Sequence, residues 1–526
     1  MIKLKIDNEE YTINESTPVI DAARTAGKEI PSMCYRQGKE HITSCMVCMV
    51  KDRNTGKLFP SCSVMATDGM DIITLDDEIW EARKTALELL LSEHVGDCEA
   101  PCQVTCPAHM NIPLMNRYLA IGKFDEALKV VKKDIALPSV FGRVCPAPCE
   151  GACHRKTLDE PVSICLLKRF AGDHDLMQED NWIPEREPTK NKSVAIVGAG
   201  PAGLAAAWYL NQRGYNCVVY DRNEKSGGTL HTEVEAGKLP ADVLEKEISL
   251  IEKAGVKFET GIQIDKNKLK KLRESFDAIV IASGQIENEK DDFGLEMSDR
   301  GIKANPDTYQ VENSSIFVTG SALKPSRMAI RAHGQGKETA FSVSQYLEGS
   351  EVKGEPFMFN SRFGRLAKEE ALEYLKESVE GNRIEPSEIQ KGFTKEEVIK
   401  EAARCMHCDC RDIEGCKLRI YSHTHQADQR RFKSAERKKI IKQFQHDRVI
   451  FEPSKCIRCG ICVDICKEYE EDFGLTFIGR GFDIEIGIPF DENLGEGLTK
   501  VAEEVVRECP TGALAFKDGG SVIGDW

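Results

Sequence analysis

The sequence predicts a multidomain protein of mixed α+β and α/β class, and three observations predict it. A chain of 526 residues with 41% hydrophobic content exceeds what one core absorbs, so roughly two to four domains are expected. The opening MIKLKIDNEEYTI alternates apolar and polar residues as paired strands do, and TPVIDAARTAGKEIP follows as a short helix. Further on, SVAIVGAGPAGLAAAWYLNQRGYNCVVYD (193–221) runs strand, glycine turn, helix and strand, the βαβ unit of an α/β layer.

Bulk properties remove several functions. A net charge of −15 argues against nucleic acid, which needs a basic face. The most apolar run, VAIVGAGPAGLAAAWYL, is broken by glycines, and the N-terminus carries no signal-peptide core. A cytoplasmic chain with no membrane span is expected. The 21 cysteines then point to metal or redox work, because cytosolic disulfides are rare and the spacings are tight. A secreted disulfide framework is the bland alternative.

The first group is Cys34, Cys45, Cys48 and Cys62, a C-x10-C-x2-C-x13-C array behind the strand pair and helix. Strands, a helix and a cysteine loop describe a small β-grasp ferredoxin, although the first gap exceeds the plant-type C-x4-C-x2-C. That longer gap resembles the N-terminal [2Fe–2S] domain of the large iron–sulfur subunit of complex I and of iron-only hydrogenases. Four thiolates on zinc are the rival reading.

Next, HVGDCEAPCQVTCP places His94, Cys98, Cys102 and Cys106 at every fourth position, and FGRVCPAPCEGACHR adds Cys145, Cys149 and Cys153. These runs resemble the glutamate synthase small subunit and the N-terminal part of dihydropyrimidine dehydrogenase. The resemblance implies a helical domain whose two [4Fe–4S] clusters share ligands crosswise. Set one is expected to be His94, Cys98, Cys102 and Cys153; set two Cys106, Cys145, Cys149 and Cys165. Lys168 stands where that family has Gln or Glu as ligand, and Cys165 lies one turn earlier on the same helical face. A surface histidine and a packed thiol are the plain readings of His94 and Cys165.

RCMHCDCRDIEGCKLR holds Cys405, Cys408, Cys410 and Cys416 on one loop, for one [4Fe–4S] cluster or one Zn²⁺. KCIRCGICVDIC with the later ECPTGAL supplies Cys456, Cys459, Cys462 and Cys509, a ferredoxin set resembling the complex I module. Of the 21 cysteines, Cys466 and Cys217 remain unplaced.

The glycine turn carries Gly198-x-Gly200-x-x-Gly203 and a strand ending at Asp221. Gly198 makes the turn, Gly200 admits a pyrophosphate, Gly203 packs helix on strand and Asp221 meets ribose hydroxyls. The following SGG resembles FAD-binding members. The resemblance adds Pro201, Ala202, Arg222, Gly228, Thr229, Gly284, Gly320, Ser321, Met328 and Ala329 as flavin contacts, with Gly320-Ser321 replacing the usual Gly-Asp. Between Gly284 and Ser314 lies a polar stretch without a second glycine fingerprint. A βαβ unit needs about 30 residues or more, so the NAD(P)H-binding domain of that family is expected to be missing.

The expected domains are residues 1–78, 79–190, 191–350, 351–420 and 421–526. They amount to a [2Fe–2S] ferredoxin, a helical two-cluster domain, a Rossmann-type FAD domain, linker helices with a cysteine loop, and a [4Fe–4S] ferredoxin-like domain. One [2Fe–2S], about four [4Fe–4S] clusters and FAD make an electron-transfer subunit of a multi-subunit NAD(P)H-linked oxidoreductase. A complex-I-like FMN/NADH subunit and a soluble ferredoxin are the expected partners. A self-sufficient NAD(P)H oxidoreductase and a zinc scaffold are the alternatives. RRFKSAERKKIIKQFQHDR (430–448) reads as a solvated helix or a docking face.

Overall fold

A computed structural model describes residues 1–286, 293–433 and 437–519. The described chain packs as two compact units. Among the described residues the first holds Met1–Glu99, Met358–Glu377 and 408–519; the second holds Ala100–Phe357 and Ser378–His407. The expected 351–420 linker is thus divided between them.

In the first unit the alternating N-terminus pairs as read. Ile2–Ile6 runs antiparallel to Glu9–Ile13 across Asp7-Asn8, both at positive φ, as a tight two-residue hairpin turn requires. Leu4 and Ile6 point inward while Lys3 and Lys5 face solvent. The sheet continues through Asp71–Ile73, parallel to Ile2–Ile6, then Met49–Asp52 and Leu58–Pro60. Its core contains Cys48 and Cys62 beside Val19, Ile20 and Ile72. A second core joins Cys34 and Cys45 to Leu87, Leu91, Phe451, Cys459, Cys462 and Ile465. The two expected ferredoxin-like segments, at opposite ends of the sequence, therefore share one hydrophobic interior. Helix Asp77–Glu93, capped by Asp76 accepting from Ile79 N at 2.8 Å, supplies the Leu87 and Leu91 face.

The C-terminal part pairs Val449–Phe451 with Leu514–Phe516 and packs helix Ile461–Glu468 against Ala502–Glu508. The expected helix over 430–448 does not form: its described residues lie outside regular structure. Residues 434–436 of that stretch lie outside the described chain. Several of its cations are paired within the unit, with Arg431 on Glu81 and Glu88, Arg437 on Glu370, Lys438 on Glu93 and Lys442 on Glu377.

The second unit combines a helical layer, from Pro101–Thr105 to Ile164–Leu176, with a five-stranded parallel sheet. The strand order is Ile316–Val318, Ala278–Ile281, Ser193–Val197, Asn216–Tyr220, Lys257–Glu259. Cys217 is packed inside this sheet, with burial pushing its thiol up to about 12. Between Ile281 and Ile316 the described residues form only the small hairpin Met297–Ser298/Gly301–Ile302; residues 287–292 of the polar stretch lie outside the description. Helix Ala329–Leu347 lies along helix Pro201–Gln212. Among the described residues no helix is long and apolar enough to cross a membrane.

Candidate cluster and nucleotide sites

Three groups of thiols and one nucleotide pocket stand out. At the N-terminus Cys34, Cys45, Cys48 and Cys62 are each nearly fully buried. Cys34 and Cys45 Sγ lie 3.3 Å apart. Hydrogen bonds from Cys45 and then Cys62 hold the Cys34 thiol well below its ordinary range, and those involving Cys34 and then Cys48 push Cys62 up. Thiols so close that they share protons fit a bound metal centre, which replaces those protons. The chain ends this loop through buried Ser61, whose Oγ donates to Cys48 O at 2.8 Å.

At the C-terminus Cys456, Cys459, Cys462 and Cys509 line one small cavity with Gly460, Ile461 and Thr511. Gly460 is left-handed, φ 82°, and opens the helix Ile461–Glu468 that carries Cys462. Burial pushes the Cys459 and Cys462 thiols up, and each has Cys456 and Cys509 as charge neighbours. Four thiols around an enclosed space suit a cluster. Cys466 lies one turn beyond Cys462, buried, its Sγ accepting from Leu475 N at 3.3 Å.

In the second unit Cys145 and Cys149 both hydrogen-bond Cys165. Lys168 Nζ lies 3.9 Å from Cys165 Sγ and is buried. Burial pulls the Lys168 ammonium pKa down, but Cys165, Cys145, Cys149 and Cys106 raise it by more. The expected second set therefore lies around a common cation, and helix Pro101–Thr105 packs on Pro148–Gly151 to bring Cys106 in. Donor chemistry and charge both fit an anionic cluster here.

The expected first set draws on both units. His94 and Cys98 belong to the first unit, Cys102 and Cys153 to the second. The reason is backbone conformation. Helix Asp77–Glu93 stops at His94, the following residues are non-helical, and only Pro101–Thr105 is helical again. A spacing of four shares a face only within a helix. Val95 N instead donates to Ser454 O at 3.0 Å and Cys98 N to Ser361 O at 3.1 Å. The His94 ring bonds the Lys455 backbone, and its Nδ1 is buried without a partner. Burial, then the Lys455 charge, push its pKa down to about 4, so the imidazole is neutral. The 405–416 loop is divided too: Cys405 lies in the second unit, Cys408, Cys410 and Cys416 in the first. Among the described residues no three His, Cys, Asp or Glu side chains are close enough to hold a single bare metal ion.

The nucleotide pocket is lined by Gly198, Gly200, Pro201, Ala202, Asp221, Arg222, Gly228, Thr229, Gly284 and Ser321 among the expected residues. Gly198 has φ 112°, and a Cβ there would lie 2.3 Å from Ala282 O; at Gly200 the space is open to 3.9 Å. Gly203 works behind the pocket, where a Cβ would lie 1.9 Å from Gly198 O. Asp221 is held by Ala199 N at 2.6 Å and Asn223 N at 2.8 Å. Gly320, φ 64°, shapes the turn before Ser321. Met328 and Ala329 are not on the pocket wall; Met328 caps helix Ala329–Leu347, and Ala332, one turn on, faces the space. Ser283 was not legible in the sequence: its Oγ is buried, makes no hydrogen bond and lines the pocket. An orphaned hydroxyl in an open cradle fits a bound polar ligand.

Comparison with known proteins follows the same segments. Residues 1–77 match the 2Fe-2S iron-sulfur cluster binding domain. Residues 92–180 match dihydropyrimidine dehydrogenase domain II, 4Fe-4S cluster. Residues 196–261 match the NAD(P)-binding Rossmann-like domain and 449–516 the 4Fe-4S single cluster domain. The chain is a fusion of iron–sulfur and Rossmann-type modules. It is 40% identical over 207 residues to the NADPH-Fe(3+) oxidoreductase subunit beta of Geobacter sulfurreducens, covering 39% of this chain and 30% of that one. It is 35% identical over 208 residues to the NADP(+)-dependent formate dehydrogenase subunit beta of Moorella thermoacetica, 35% of this chain and 29% of that one. With the glutamate synthase [NADPH] small chain of Bacillus subtilis it shares 38% over 201 residues, 36% of this chain and 40% of that one. The matched stretch thus spans well under half of each relative.

Proposed function

We propose that this fusion is an iron–sulfur flavoprotein subunit that relays single electrons inside a multi-subunit, NAD(P)H-linked oxidoreductase of the cytoplasm. The observation that carries the reading is a contact inside the second unit. Gly334 of helix Ala329–Leu347 presses on Pro107 O, where a Cβ would lie 2.1 Å away, and Pro107 follows Cys106. Gly336 presses on Ala202 O, where a Cβ would lie 2.2 Å away. Two glycines, two residues apart on one helix, thus draw the Cys106 loop and the nucleotide fingerprint close to a single rod. The same helix reaches the pocket through Ala332.

FAD in that pocket would supply the conversion between paired and single electrons. The residues prepare for it. Gly200 lets backbone meet the pyrophosphate at the N-terminus of helix Pro201–Gln212, and Ser283 offers an unclaimed hydroxyl. The buried thiol sets would hold iron, and Lys168 would offset the negative charge of the Cys106, Cys145, Cys149 and Cys165 set. Hydride exchange with the nicotinamide belongs to a partner, a complex-I-like FMN/NADH subunit, and a soluble ferredoxin is a further exchange partner.

The description of the 196–261 match as NAD(P)-binding favours a second reading, in which the nicotinamide itself occupies this pocket. Anaerobic purification separates the two. FAD released on denaturation, with no bleaching by NADH or NADPH until the partner is added, supports the relay. Direct bleaching of the isolated chain by NADPH supports the self-sufficient oxidoreductase. Zinc without iron or sulfide overturns both.

A further inference from the structure

Inside the first unit Cys98 meets the loop that carries Cys410 and Cys416. Three contacts fix its position: Cys98 N donates to Ser361 O at 3.1 Å, Ser361 N to Cys98 Sγ at 3.4 Å, and Cys410 N to Cys98 O at 3.0 Å. Cys98, Cys410 and Cys416 are all buried. The Cys410 thiol points at Gly512, where a Cβ would lie 2.2 Å from its Sγ, so the absence of a side chain there makes room for the sulfur. Cys416 opens helix Lys417–Thr424, and Arg419 of that helix pairs with Glu99, the residue after Cys98, at 2.8 Å. Two buried cations, each paired with a carboxylate, lie beside this stretch, Lys455 against Gly96 and Arg419 on Glu99. Lys455 is held by Glu452 at 2.7 Å.

We propose that Cys98, Cys410 and Cys416 are ligands of one iron–sulfur cluster in the first unit, completed by Cys408 from the same loop. The assignment rests on the reading of these cysteines as cluster ligands and deepens it: the comb serves two sites, and the 405–416 loop is not a site by itself. Cys405 then serves the second unit. There Cys153 has Arg404 among its charge neighbours, and Arg155 donates to Arg404 O.

The test uses the full chain, purified anaerobically, with iron and sulfide counts and electron paramagnetic resonance of the dithionite-reduced protein. Cys98→Ala, Cys410→Ala and Cys416→Ala are expected to lose the same signal and about four iron atoms per chain. Cys102→Ala is expected to keep that signal and lose a different one. The proposal is overturned if Cys98→Ala and Cys102→Ala lose one signal in common while Cys416→Ala retains it. Where an alanine variant does not fold, the serine variant is read instead: altered g-values of the shared signal support the assignment, and an unchanged spectrum overturns it. Wild-type protein without iron would sink the relay itself; misplaced signals sink only this ligand set.

Discussion

The C-terminal array and the four-residue comb look equally regular in sequence, yet the fold treats them oppositely. Cys456, Cys459 and Cys462 sit on a loop that turns at Gly460 into a helix, and Cys509 returns to close one cavity. Cys98, Cys102 and Cys106 sit on a stretch that is irregular, then helical, and it passes from one packed unit to the other. Spacing fixes a ligand set only where the intervening chain itself folds around the site. Where the chain is irregular, neighbours from elsewhere decide.

The largest expected effect tests the first half of that contrast. Cys459→Ala is expected to remove one whole cluster, about four iron atoms, while the signal that depends on Cys106 persists. Loss of both signals by paramagnetic resonance would dissolve the distinction between the sites.

A smaller effect tests what holds the 408–416 loop. Glu377 pairs with Arg411 at 2.7 Å and with Lys442, and all three are buried. Burial pushes the Glu377 carboxyl up, but Lys442 and then Arg411 depress it by more, so its folded pKa lies well below the ordinary value. Such a group contributes stability that is present above the unfolded pKa of about 4.3 and lost as pH falls below it. Glu377→Ala is expected to cost about 3–5 kcal/mol in denaturant titration at pH 7, with much less difference from wild type in strong acid. A pH-independent difference would mean that the ion pairs do not hold this loop.

Gly334→Ala drives a methyl toward Pro107 O and is expected to cost about 1–3 kcal/mol. Electron exchange between the pocket and the Cys106 set, followed by stopped-flow absorbance, should slow with it. Unchanged stability and rate would remove the contact from the proposed relay.

The smallest effect on stability is Gly200→Ala. The site is open, so thermal unfolding of the apoprotein should shift by no more than about 0.5 kcal/mol. Bound flavin should nevertheless fall, because the added methyl stands where backbone meets pyrophosphate. Gly203→Ala, against Gly198 O, is expected to behave oppositely and destabilise the fold.

Much of this architecture was legible. The alternation of Lys3, Leu4, Lys5 and Ile6 predicts a half-buried strand, and the glycine turn at Gly198 predicts a nucleotide pocket beneath a parallel sheet. Both are local signals whose periodicity survives any tertiary context. Ser283 was silent, because a serine after a buried strand carries no pattern; its meaning comes from being unpartnered inside a cradle. The run over 430–448 misled, because its basic residues are matched to acids such as Glu88, Glu370 and Glu377 distant in sequence.

The sequence by itself determined the chemistry: which stretches offer thiolates, which backbone can approach a phosphate, and which strands face a core. Those follow from residue type and short-range geometry. Only the tertiary structure decided the partnerships: Cys98 beside Cys410, the two ferredoxin-like ends around one interior, and Gly334 against Pro107. Each depends on which distant segments meet, and burial of apolar surface selects that meeting without leaving a periodic trace in the chain.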